Sequence, residues 1–165
     1  MIRIKSIFVI TCTVFLLFSC KENAKKAKVY HDAIVKSTAI VTDSVIDYAD
    51  AIHSGSLSIS SEVTQKYISL ISKTIDSVNF KGNFEGDSSL RTTSVGLLRF
   101  YETYINQNFV PYFNSLVSDS LGEEQIAIAD SLHRKMMDEE VQYWNSFNNA
   151  EKKFSDTYDL MSLEE

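Results

Sequence analysis

One proline and five glycines are all the strong backbone breakers in 165 residues. Proline removes a helical hydrogen bond and glycine loosens the chain, so a sequence this poor in both favours long helices over many short strands. Apolar spacing agrees. From Tyr30 onward, Ile34, Val41, Val45, Tyr48 and Ile52 recur at steps that hold one helix face, and "HSGS" at 53–56 ends the run. A second helix is expected to start at Ser60 or Ser61, where a hydroxyl can cap free amides and Glu62 complements the dipole. Its inner stripe reads Val63, Tyr67, Leu70, Thr74 and Val78, until "NFKGNFEGD" at 79–87 breaks the pattern with two glycines.

The third helix is expected from Ser88 or Ser89 and carries Leu90, Leu97, Leu98, Tyr101, Ile105, Phe109 and Leu116. Pro111 should kink or break it at 106–110. The fourth opens on "SLGE" at 120–123, a capping-box pattern, and continues through Ile126, Ala129, Leu132, Met136, Tyr143, Phe147, Ala150 and Phe154. A helix of that reach is about 50 Å long. The fold class expected is therefore all-α: an up-down four-helix bundle with a kinked or broken third helix, a long C-terminal helix and almost no β structure.

The amino terminus reads differently. Arg3 and Lys5 precede a mostly apolar stretch at 7–18, the layout of a secretory signal and shorter than the roughly 20 residues a permanent span needs. It ends in "LFSC", and this resembles the lipobox of bacterial lipoproteins, with Cys20 at the junction and Phe18 bulkier than the residues usual at its position. The resemblance implies a diacylated thiol on Cys20, cleavage just before it, and acylation of the new terminus. Cysteine arithmetic points the same way. The chain has two cysteines and Cys12 lies in the segment to be removed, so the mature chain would hold Cys20 alone and no disulfide. A lipid on that sulfur would anchor the protein to a membrane without crossing it.

Three spans follow: 1–19 as a lipoprotein signal peptide, 20–29 as a lipidated tether, and 30–165 as one helical-bundle domain. "KEN" at 21–23 resembles the charged export signal that sends some lipoproteins to the outer face. The expected location is the cell envelope, anchored to the outer membrane and leaning toward the surface side. The mature chain carries 14 basic against 22 acidic residues, a net charge of −8, which opposes nucleic-acid binding. Its one basic cluster, Lys21, Lys25, Lys26 and Lys28, reads as a solvated tether rather than a contact with anionic headgroups.

The segments "YHDAIV" at 30–35, "FKGN" at 80–83 and "LLRFYETYINQNF" at 97–109 resemble those of a family of uncharacterised bacterial surface lipoproteins with all-helical mature parts. The resemblance implies a helical surface lipoprotein; it brings no activity with it.

Constellations that could carry chemistry are few. Asp50 with His53, and Asp130 with His133, each put a carboxylate and a histidine on one helix face, as di-metal bundles do with glutamate, but the two pairs should lie well apart along the axis and read as surface ion pairs. His31 beside Asp32 reads as an exposed histidine at the tether. Glu139 and Glu140 read as solubilising charges, and so does Glu102 between tyrosines. No His-Glu-x-x-His, phosphate loop or Gly-x-Ser-x-Gly occurs. The densest suggestive stretch is "FYETYINQNFVPYF" at 100–113, mainly core by its spacing, with Tyr104, Tyr112 and Phe113 as the candidate interaction surface.

The function expected is a lipid-anchored envelope protein, a non-enzymatic interaction or structural module with no cofactor and no catalytic or metal residues. Its partners would be the membrane through Cys20 and an envelope protein or glycan. The competing class is a bundle that binds a small molecule, metal or glycan between its helices.

Overall fold

The computed structural model describes residues 3–54, 60–109 and 122–163 and, from Glu22 on, all but a few of their side chains. The architecture is all-helical: α1 (Arg3–His53), α2 (Ser61–Phe80), α3 (Ser89–Thr103) continued by a π-helical turn (Tyr104–Phe109), α4 (Glu123–Thr157) and a closing 3-10 turn (Leu160–Leu163). The described residues hold no strand, only an isolated bridge between Phe84 and Asp87. None of their helices is long and apolar enough to cross a membrane.

α2 and α3 start where polar side chains satisfy free amides. Ser60 caps α2, its hydroxyl accepting from the Val63 amide at 3.2 Å. α3 starts at Ser89, as the sequence implies, and the bonds at its start come from the residue before the two serines. Ser88 makes no side-chain cap bond, whereas Asp87 accepts from the Ser89 amide at 2.7 Å and the Ser89 hydroxyl at 2.6 Å. Those bonds hold the Asp87 carboxyl below its ordinary range. The turn feeding α3 has Gly82 and Gly86 at φ +68° and +87°, the left-handed region that side chains resist. Arg91 closes it by donating to Asn79 at 2.9 Å and to Asn83 at 3.2 and 3.0 Å.

The core is one apolar cluster from all four helices. On α1 the expected stripe of Ile34, Val41, Val45, Tyr48 and Ile52 is buried throughout, and so are Leu90, Leu97, Leu98 and Tyr101 on α3 and Ile105 in its π-helical continuation. On α2 the buried line is turned by about one residue. Thr64, Ile71, Ile75 and Val78 are buried, while Val63, Tyr67, Leu70 and Thr74 are half-buried, because α2 packs against both α1 and α3 and its innermost line faces the gap between them. On α4, Met136, Phe147, Ala150 and Phe154 are buried, but Leu132 and Tyr143 are exposed. Phe109 and Leu116 of the expected third helix, and Ile126 and Ala129 of the fourth, lie outside the described side chains.

Contacts between helices fix which ends meet. The Tyr48 ring meets that of Tyr67 at 4.4 Å, tilted by 34°, and the Tyr48 hydroxyl lies 3.1 Å from the Thr64 hydroxyl. The Tyr30 hydroxyl donates to the Gly82 carbonyl at 2.9 Å, and its ring meets Phe84 and Phe154 at 5.4 and 5.6 Å. Thr38 and Ser94 share a buried hydroxyl contact of 2.7 Å. Residues 23–29, which the sequence reads as part of a tether, continue α1. Ala27 is fully buried and Asn23 donates to Glu85 at 3.1 Å.

Candidate functional site

The aromatic end of α3 is where a site was expected, and it packs against α4. Phe100 faces Tyr104 at 6.2 Å and Tyr143 at 5.3 Å, and a methyl built on Gly96 would sit 3.8 Å from the Tyr143 ring. Tyr104 is half-buried against the core, so only part of its ring is available to a partner. Tyr112 and Phe113, like Pro111 and Ser120, lie outside the described residues. Tyr104 opens the π-helical turn, a wider winding that the residues up to Phe109 share.

Beneath this patch lies a polar triad that sequence spacing does not announce. The Tyr101 hydroxyl donates to Glu140 at 2.6 Å and accepts from the Trp144 indole N–H at 3.0 Å. Burial first, and the Glu140 carboxylate second, push the Tyr101 phenol far above its ordinary value, so it stays protonated and can keep donating. Glu140 is thus a tie between α3 and α4 rather than a solubilising charge. Glu102 is likewise a tie: it is half-buried and accepts from the Ser72 hydroxyl of α2 at 2.5 Å. In both, position i+3 or i+4 to an apolar stripe residue was the only available signal.

Histidine placement also differs from expectation. His31 is largely covered, stacked 6.2 Å over Phe154, with Nδ1 3.0 Å from Asp32 and Nε2 3.4 Å from Glu151, the latter off line for a hydrogen bond. Its hydrogen bond holds the Asp32 carboxyl below the usual range. The histidine is covered because this part of α1 packs on α4, Tyr30 and His31 both lying against Phe154. Asp50 and Asp130 are exposed, and the His53 side chain lies outside the described ones. Among the described residues no three His, Cys, Asp or Glu side chains converge as metal ligands.

Two open grooves on the surface are lined by described residues. One of about 530 Å³ runs beside the amino-terminal part of α1 and is lined by Glu22, Lys25, Lys26, Val29, Tyr30, Ala33 and Lys81. The other, about 420 Å³, lies between α1 and α2 among Asp47, Lys66, Tyr67, Leu70 and Lys73. Cys20 lies on α1, ahead of the first groove, and its side chain is outside those described. No protein-family model, no curated protein and no solved structure matches this chain.

Proposed function

We propose that the mature protein begins at Cys20, carries lipid on that sulfur, and serves in the cell envelope as a non-enzymatic interaction or structural module anchored to the outer membrane. The observation that carries the reading is the junction itself: "LFSC" followed by charge, on a helix whose Ala27, seven residues on, is already buried in the body. Acyl chains on Cys20 would therefore hold a folded domain close to the bilayer. The family likeness of residues 30–35, 80–83 and 97–109 belongs to the same proposal, and so does the lean of "KEN" toward the surface face.

The body is read as an up-down bundle. Tyr48 with Tyr67, Tyr30 with Gly82, Tyr101 with Glu140 and Trp144, and His31 with Glu151 support that order, since later residues on one helix meet earlier ones on the next. The π-helical winding just ahead of Pro111 supports a kink there. Tyr104, with Phe100 and the exposed edge of Tyr143, marks the face on which an envelope protein or glycan would bind.

Cys20→Ala tests the anchor. The variant should leave the membrane fraction or accumulate as uncut precursor; an unchanged fraction and mass would refute it. Affinity capture from intact envelopes with the wild type and Tyr104→Ala tests the interaction face, which fails if both recover the same partners in equal amounts.

A further inference from the structure

Three of the most exposed large apolar side chains among the described residues gather at one end of the molecule, and it is the end to which Cys20 leads. Phe80 is 93% exposed at the last position of α2, Val29 72% exposed on α1, and Met161 69% exposed on the closing 3-10 turn, which packs on α1. Apolar side chains scattered singly over a surface are ordinary, whereas exposed ones gathered at one end suit a surface that meets something apolar. Val29 stands inside the first groove, and Phe80 adjoins its Lys81.

The groove is also basic. Lys25, Lys26 and Lys81 line it against the single acid Glu22, whose carboxylate holds Lys26 at 2.8 Å, in a chain whose acidic residues outnumber its basic ones, 22 to 16. Glu22, Lys26, Val29 and Ala33 fall on one face of α1 because they are spaced by four, three and four. With a rise of about 1.5 Å per residue, that face begins about 3 Å beyond Cys20 and reaches about 20 Å along the helix. An apolar side chain flanked by lysines suits the boundary of a bilayer, with the ring among acyl chains and the ammonium groups at phosphate level.

We propose that this face docks on the membrane that holds the Cys20 lipid: α1 lies along the surface, Phe80 and Val29 enter the interfacial layer, and Lys25, Lys26 and Lys81 engage the phosphates of anionic phospholipids. The proposal rests on the reading of Cys20 as the anchor. It makes the body a plate seated on the bilayer, not a bead on a leash.

An acylated Cys20 leaves the mature chain with no free thiol, so a nitroxide on Phe80→Cys, Val29→Cys or, as a control on α4, Asp138→Cys would report one position each. The lipidated protein is placed in vesicles of phosphatidylcholine alone or mixed equally with phosphatidylglycerol, and collision with oxygen and with a water-soluble nickel chelate is compared. In the anionic vesicles the labels at 80 and 29 should gain oxygen access and lose nickel access, while the label at 138 stays in water. Neutral vesicles, or Lys25→Gln, Lys26→Gln and Lys81→Gln together, should return both labels to water with the protein still bound. Labels at 80 and 29 that stay water-exposed in bound protein would overturn the docking, and immersion indifferent to lipid charge or to the lysines would overturn the phosphate contact. Wild type that itself takes up the nitroxide shows a free thiol and fails the anchor reading instead.

Discussion

Tyr101 carries two hydrogen bonds on one oxygen, and removing that oxygen leaves Glu140 and the Trp144 N–H without their shared partner. Tyr101→Phe should therefore cost about 1 to 3 kcal/mol of unfolding free energy, read from urea denaturation at neutral pH; a change within error would mean that water replaces the bonds freely. The native phenol resists ionising, whereas an unfolded tyrosine ionises near pH 10, so stability should be whole below about pH 10 and fall as pH rises beyond it, less steeply in the phenylalanine variant. Gly86 makes a similar point for the backbone. Open space surrounds it, yet its φ of +87° should make Gly86→Ala cost about 1 to 2 kcal/mol. Apolar residues were the readable ones: the stripe from Ile34 to Ile52 is buried as spacing implies. Glu102, Glu140 and His31 were not, because periodicity says which face a residue occupies but not whether a distant hydroxyl or ring waits there.

Helix boundaries were legible to within a residue at Ser60 and across 79–87; at the fourth helix the capping-box reading of 120–123 fails, because Gly122 is not helical and α4 starts at Glu123. The start of α3 is held by Asp87, whose carboxylate accepts two bonds at once. Asp87→Ala should cost about 1 kcal/mol at pH 7. Its folded carboxyl titrates below the unfolded value of about 3.9, so that contribution is whole above this value and is lost as pH falls through the lower folded one. The difference between wild type and variant should thus shrink between pH 5 and about pH 2; an unchanged gap in urea midpoints would contradict the cap assignment. The amino-terminal part of α1 gives a third check at this scale. Charge density suggested a solvated tether, but Ala27 is buried and Asn23 is tied to Glu85. Amide hydrogens of residues 27–30 should therefore exchange as slowly as those near Ile34, and exchange at the rate of an open chain would remove the contact between α1 and the rest of the body.

At the scale of the whole molecule, helical class follows from the shortage of breakers, whereas the way four helices share a core depends on pairings such as Tyr48 with Tyr67 that no single helix encodes. The proposed location rests on one junction. If Cys20 is the first residue and bears lipid, the buried Ala27 puts the body near the bilayer, and the exposed Phe80 and Val29 face it. Everything proposed about membrane, partner and face hangs on that sulfur. Intact-mass measurement of the protein extracted from the envelope with detergent tests it most directly. The account predicts a chain starting at Cys20 with the added mass of two or three acyl chains, all of it traced to the Cys20 peptide; a chain that retains residues 1–19, or begins elsewhere with no acyl mass, would contradict it.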